Sequence, residues 1–87
     1  MNAPTDPKLL ASIHAVLREH AGLSALPEAL TPDTNLFEAG LSSMATVSVM
    51  LALEDEFDLE FPESMLGRST FETIHSISVA IKSLQDA

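Results

Sequence analysis

Two serines, Ser42 and Ser43, stand between a Gly-Leu pair and an apolar pattern with helical spacing. Residues 38–44 read EAGLSSM and residues 45–57 read ATVSVMLALEDEF. The first turn of a helix presents unpaired backbone N–H groups and the positive end of the helix dipole. A serine there has two uses. It can cap the helix by accepting one of those N–H bonds. It can also carry a phosphate ester, whose anion the amides and dipole stabilise. Residue type alone leaves both uses open. The chain has no cysteine, which excludes a disulfide scaffold and a Cys-based zinc site. A thiol could reach this protein only on an attached group.

Other chemistry is thin. His14, His20 and His75 fall on the first and last helical patterns. His14 and His20 are six residues apart, which puts them on different helix faces, so scattered surface histidines are expected rather than a metal site. The segment DEFDLEFPESML (residues 55–66) superficially resembles a calcium loop. It places Phe57 and Leu59 where oxygen ligands belong and has no glycine at the turn. The glycines are isolated, and no Ser-His-Asp set can be assembled from spacing. A self-sufficient enzyme is not expected.

The 87 residues suffice for one domain with a thin core. Thirteen acids face four bases, Lys8, Arg18, Arg68 and Lys82, for a net charge of −9. From Glu19 to Glu63 there are ten acids and no Lys or Arg. Such a field repels nucleic acid and anionic lipid and steers toward basic protein surfaces. At 46% apolar residues the chain is too hydrophobic for an acidic disordered tail. No apolar run approaches the roughly 18–20 residues of a membrane span. MNAPTDPKLL lacks a basic-then-apolar signal pattern. A cytoplasmic protein without membrane insertion is expected.

The elements that must position the serines are helical. Residues 1–6 read as a flexible end and 7–87 as one domain. Asp6 is the expected N-cap and Pro7 the first helical residue, followed by Leu9, Leu10, Ile13, Val16 and Leu17 at helical spacing. Gly22 ends that helix. Residues 21–42 have no sustained period, and Leu26, Leu30, Leu36, Phe37 and Leu41 are expected to pin this long loop to the core. A short turn near Pro27–Leu30 fits. The second helix runs from about Ser43 to Phe57, and Asp58–Pro62 breaks it. Glu63–Leu66 makes one short turn ended by Gly67. Ser69 and Glu72 fit a capping box opening the last helix, whose core stripe is Ile74, Ile77, Ile81 and Leu84. The fold class is all-α: a small bundle of three main helices plus one short one, a four-helix bundle in outline.

The second helix has two apolar faces. At about 100° per residue, Thr46, Val49, Met50, Leu53 and Phe57 share an arc of about 100°, the core face. Met44, Val47 and Leu51 fall together elsewhere, with Glu54, Asp55 and Asp58 flanking or extending them. A small bundle cannot readily bury both faces. Either the long loop covers the second stripe, or the stripe is a docking surface, apolar near Ser43 and acidic farther along.

Gly40-Leu41-Ser42-Ser43-Met44, then Val47 and Ala52-Leu53-Glu54-Asp55-Glu56-Phe57, resembles the acyl carrier proteins. That family shows Gly-x-Asp-Ser-Leu leading into a helix that ends Leu-Glu-x-x-Phe. An Ile-Pro or Phe-Pro step follows, here Phe61-Pro62, and a Thr or Ser opens the last helix. The resemblance spans about residues 7–85. It implies an acyl-carrier-like fold and a 4′-phosphopantetheine arm esterified to Ser43. A phosphopantetheinyl transferase would add the arm from coenzyme A, and its thiol would carry a substrate as a thioester between partner enzymes. The carrier itself would be non-catalytic and monomeric.

The departures point to a specialised partner set. Ser42 replaces the usual Asp, Met44 the usual Leu, and Ala45 and Ser48 stand where fatty-acid carriers commonly have acids. Losing that charge weakens contacts with basic partner patches, chiefly through association rate. Ala39-Gly-Leu-Ser-Ser43, Phe61-Pro62 and Met65-Leu-Gly-Arg-Ser-Thr-Phe71 resemble more closely the bacterial aminoacyl carrier proteins. Those are charged by ligases homologous to seryl-tRNA synthetase. This implies a carrier loaded by an amino acid:carrier-protein ligase. The alternatives are a stand-alone acyl carrier for fatty-acid, lipid or polyketide synthesis, and an unmodified acidic interaction module. Partner contacts are expected at Ser42, Met44, Val47, Leu51, Glu54 and Asp55.

Overall fold

The computed structural model describes residues 7–22 and 30–86. Three α-helices organise them: α1 (Pro7–His20), α2 (Ser43–Phe57) and α3 (Ile74–Gln85). No strand occurs among the described residues. Helix α1 packs against both α2 and α3. Its expected stripe is the buried one, through Leu9, Ile13, Val16 and Leu17. Gly22 follows the last turn with φ +64°, a left-handed conformation that favours glycine. Asp6, Leu26 and most of the expected Pro27–Leu30 turn lie outside the described residues.

Helix α2 contributes Val49 and Leu53 to the core, both fully buried, and α3 contributes Ile74, Ile77, Ala80 and Ile81. Met50 and Phe57 pack partly buried against this cluster, as does Leu84. Ser78 is the buried polar residue of α3, and its hydroxyl donates to the His75 carbonyl at 2.7 Å. That internal bond removes the cost of an unpaired buried hydroxyl.

The loop ahead of α2 is held from two sides. Leu36 and Leu41 are buried, and Leu30 and Phe37 pack on the core edge. The Leu36 N–H donates to the Glu72 carbonyl at 2.7 Å, and the His75 N–H donates to the Pro32 carbonyl at 3.0 Å. Asn35 Oδ1 accepts from the N–H groups of Phe37 (2.9 Å) and Glu38 (3.1 Å). This side-chain turn delivers the chain to Gly40, whose φ of +118° only glycine adopts easily. The Leu41 N–H then closes onto the Leu36 carbonyl at 2.9 Å. The segment is therefore built onto the core before the serines are reached.

The start of the last helix differs from the expected one. Ser69 and Glu72 form no capping box. Residues Arg68–Phe71 wind into a 3₁₀ turn that buries Phe71, edge-on to Phe61 with centroids 5.5 Å apart. Glu72 is committed to the loop: its carbonyl takes Leu36, and its carboxylate accepts from Asn35 Nδ2 at 3.4 Å. The cap moves to Thr73, whose Oγ1 accepts from the Ser76 N–H at 2.9 Å while Ser76 Oγ accepts from the Thr73 N–H at 3.0 Å. The expected single short helix is two 3₁₀ turns, Glu63–Met65 and Arg68–Phe71, so the bundle has no fourth α-helix among the described residues.

Candidate functional site

The start of α2 separates the two serines. Ser42 is the N-cap, with extended backbone (φ −87°, ψ 166°), and its Oγ accepts from the Ala45 N–H at 3.0 Å. Its carbonyl accepts from both the Thr46 N–H (2.9 Å) and the Thr46 hydroxyl (2.8 Å). Ser42 is thus occupied by the helix it starts. Ser43 is the first helical residue and is exposed. Its hydroxyl makes no hydrogen bond among the described residues, so no structural role holds it back from chemistry.

A cleft of about 260 Å³ lies beside Ser43, lined by Phe37, Thr46, Val47, Leu66, Gly67 and Arg68 as well as Ser43 itself. The loop before α2 supplies one wall and the junction of the two 3₁₀ turns the other. The Arg68 guanidinium stacks over the Phe37 ring, 3.9 Å from its centroid. Phe37 was legible in the sequence only as a loop anchor, and Leu66 and Arg68 not at all as site residues. The available signal was charge: Arg68 is the sole Lys or Arg between Arg18 and Lys82.

The second face of α2 is exposed. Met44 is 85% accessible, Leu51 55% and Val47 52%, so no described part of the loop covers it. Val47 borders the Ser43 cleft. Leu51 and Asp55 border a second groove of about 450 Å³ against α1, with Val16, His20 and Ser48 on its walls. The stripe therefore bridges two depressions. Glu54 departs from the expected grouping: its carboxylate accepts from the Phe61 N–H at 2.9 Å and fastens the chain after α2. Asp58 ends α2 in the left-handed region (φ 53°, ψ 53°).

The histidines do not converge. His20 lies 3.6 Å from Glu19 on the surface, and His14 and His75 are half-buried on separate helices. Among the described residues, no group of three or more His, Asp or Glu is placed to hold a metal ion. No helix there is long and apolar enough to cross a membrane.

The geometry fits the relatives of this chain. The family described as "Phosphopantetheine attachment site" matches residues 10–80. The aminoacyl carrier protein of Agrobacterium fabrum is 36% identical over 76 residues, covering 87% of this chain and 92% of that protein. A D-alanyl carrier protein of Streptococcus uberis is 39% identical over 56 residues, 63% of this chain and 71% of that one. Among solved structures, the carrier protein from Agrobacterium tumefaciens, complexed with an engineered Bradyrhizobium japonicum glycine:[carrier protein] ligase and ATP, superposes with a TM-score of 0.84. It is 35% identical, with 86% of this chain and 97% of that one covered. With the match extending over most of its length and the same all-α architecture, the chain belongs to the phosphopantetheine-attachment family of carrier proteins.

Proposed function

We propose that this protein is an aminoacyl carrier that holds its cargo on a 4′-phosphopantetheine arm esterified to Ser43. The observation that carries this reading is the Ser43 hydroxyl: exposed, without a hydrogen bond among the described residues, and at the tip of α2 in a chain of this family. The residues present suit a phosphodiester. The first-turn amides of α2 and the Arg68 guanidinium supply positive potential in an otherwise acidic chain. The arm supplies the thiol that this cysteine-free chain lacks.

The chain's own part is address and tether. No acid–base group is hydrogen-bonded to Ser43 among the described residues, so activation of its hydroxyl falls to a phosphopantetheinyl transferase. Ser42 fixes the helix start and thereby the direction in which Ser43 Oγ projects. Met44, Val47 and Leu51 offer an apolar strip next to the attachment point, with Asp55 beyond it. A ligase with a matching apolar and basic surface would load an amino acid here. Tethering then raises the cargo's effective concentration at the next enzyme's site. The amino-acid cargo is favoured by the similarity to aminoacyl and D-alanyl carrier proteins and by the neutral first half of α2.

The test is a mass measurement. Incubation with coenzyme A and a broad-specificity phosphopantetheinyl transferase adds one arm to wild type and to Ser42→Ala, and none to Ser43→Ala. The loaded protein is then offered to an amino acid:carrier-protein ligase with ATP and, separately, to an acyl-loading enzyme. Aminoacylation supports the aminoacyl reading, and loading with acyl groups alone replaces it by the acyl-carrier alternative. No mass gain with several transferases removes the carrier reading and leaves the interaction module.

A further inference from the structure

We propose that Arg68, stacked on Phe37, is a binding residue for the phosphodiester that joins the arm to Ser43, and that it sets the direction in which the arm leaves the protein. The inference rests on the attachment at Ser43 and deepens it.

Three observations converge on Arg68. The first is placement. Arg68 and Ser43 line one cleft, although 25 residues separate them in the chain. The second is charge. Arg68 is the sole Lys or Arg between Arg18 and Lys82, in a protein of net charge −9, yet it forms no ion pair with a carboxylate among the described residues. A cation amid so many acids ordinarily finds one. The third is orientation. The guanidinium lies 3.9 Å from the Phe37 ring centroid, which confines its plane against the cleft wall. Stacking holds the fork without consuming its five N–H donors.

An anion with two free oxygens suits such a fork, because guanidinium pairs with phosphate oxygens through parallel hydrogen bonds. A phosphodiester on Ser43 brings that anion into the cleft. With the phosphate held on the Arg68 side, the arm starts across Val47 and Leu66, the apolar walls. It does not start along the acidic end of α2, where no cation sits in the last turn. The pair therefore biases a flexible tether toward one exit.

The experiment uses full-length protein in apo and arm-bearing forms, with complete modification verified by mass. A failure to modify is thereby kept apart from a failure of this proposal. Arg68 is exposed, so Arg68→Gln should fold, and an unchanged amide spectrum away from the cleft checks that it does. In wild type, the Arg68 Nε–H resonance, assigned by its absence in Arg68→Gln, should shift on modification. It should return when a phosphodiesterase removes the arm. The ³¹P resonance should differ between modified wild type and modified Arg68→Gln, and that difference should shrink at about 1 M NaCl, where screening shortens to about 3 Å. Modification should raise the melting temperature of wild type by about 1–5 °C and that of Arg68→Gln by less. Arg68 Nε–H and ³¹P signals that ignore each other in fully modified protein would overturn the proposal. So would a ³¹P signal identical in Arg68→Gln and wild type at low salt.

Discussion

The N-termini of α2 and α3 use the same chemistry for different ends. Each begins with small hydroxyl residues after an extended segment. At α3 every hydroxyl is spent: Thr73 and Ser76 satisfy each other's N–H groups, and Ser76 Oγ also donates toward the carbonyls of Thr70 and Thr73. At α2 one serine does the capping and its neighbour does nothing structural. Ser42 holds the Ala45 N–H, while Ser43 is exposed beside a cleft with a stacked arginine on its far wall. The difference teaches how to tell a cap from a reactive hydroxyl. The cap is the serine whose removal the helix would feel.

That contrast is testable by substitution, and the largest expected effect is chemical. Ser43→Ala should lose arm attachment completely while its melting temperature stays within about 2 °C of wild type, because no bond of the fold depends on Ser43 Oγ. Mass spectrometry and thermal unfolding on one sample check both halves. A marked loss of stability would make Ser43 a structural residue and break the comparison.

Thr73→Ala should cost about 2 kcal/mol, the upper part of the range for cap residues, since the α3 box is half-buried and reciprocal. Denaturant unfolding measures this, and arm attachment at Ser43 should be unaffected. Ser42→Ala should cost less, about 1 kcal/mol, because its cap is exposed and one-sided. In a domain of this size that is about 4–8 °C in melting temperature. It should still accept the arm. Equal costs at the two caps would mean that burial and reciprocity add nothing.

Two smaller effects concern the opposite end of α2. That end collects Glu54, Asp55, Glu56 and Asp58 with no base in its last turn, and Asp58 sits in the left-handed region. Asp58→Asn keeps a side chain that tolerates this conformation and removes a negative charge from the negative pole of the helix. It should stabilise by about 0.5 kcal/mol in denaturant unfolding. Moderate NaCl or magnesium should raise the melting temperature by about 2–4 °C through screening of the same acids. A melting temperature that stays flat or falls on adding magnesium would show that their repulsion is already relieved.

Much of this was legible beforehand, for identifiable reasons. The stripes of α1 and α3 and the bounds of α2 follow from apolar spacing, which any folded solution must respect. Ser43 was reachable because the family motif is local in sequence. The capping box at Ser69 and Glu72 was misread because the pattern is common, and a distant contact decided it: Leu36 claims the Glu72 carbonyl. Glu54 read as a partner contact because its helical position is half-exposed, but a long-range bond turns it to Phe61. The cleft joins residues 37, 43–47 and 66–68, and no local pattern announces such a meeting.

The sequence by itself determined that this chain is a small acidic all-α carrier, that it has no thiol of its own, and where its helices run. Those properties reside in composition, in a period of about 3.6 residues and in one short motif. Only the tertiary structure decided which serine is spent on the helix, that the second face of α2 lies open, and that Arg68 stands on Phe37 beside Ser43. These depend on contacts between segments far apart in the chain, and such contacts are set by how the helices and turns pack around a single core.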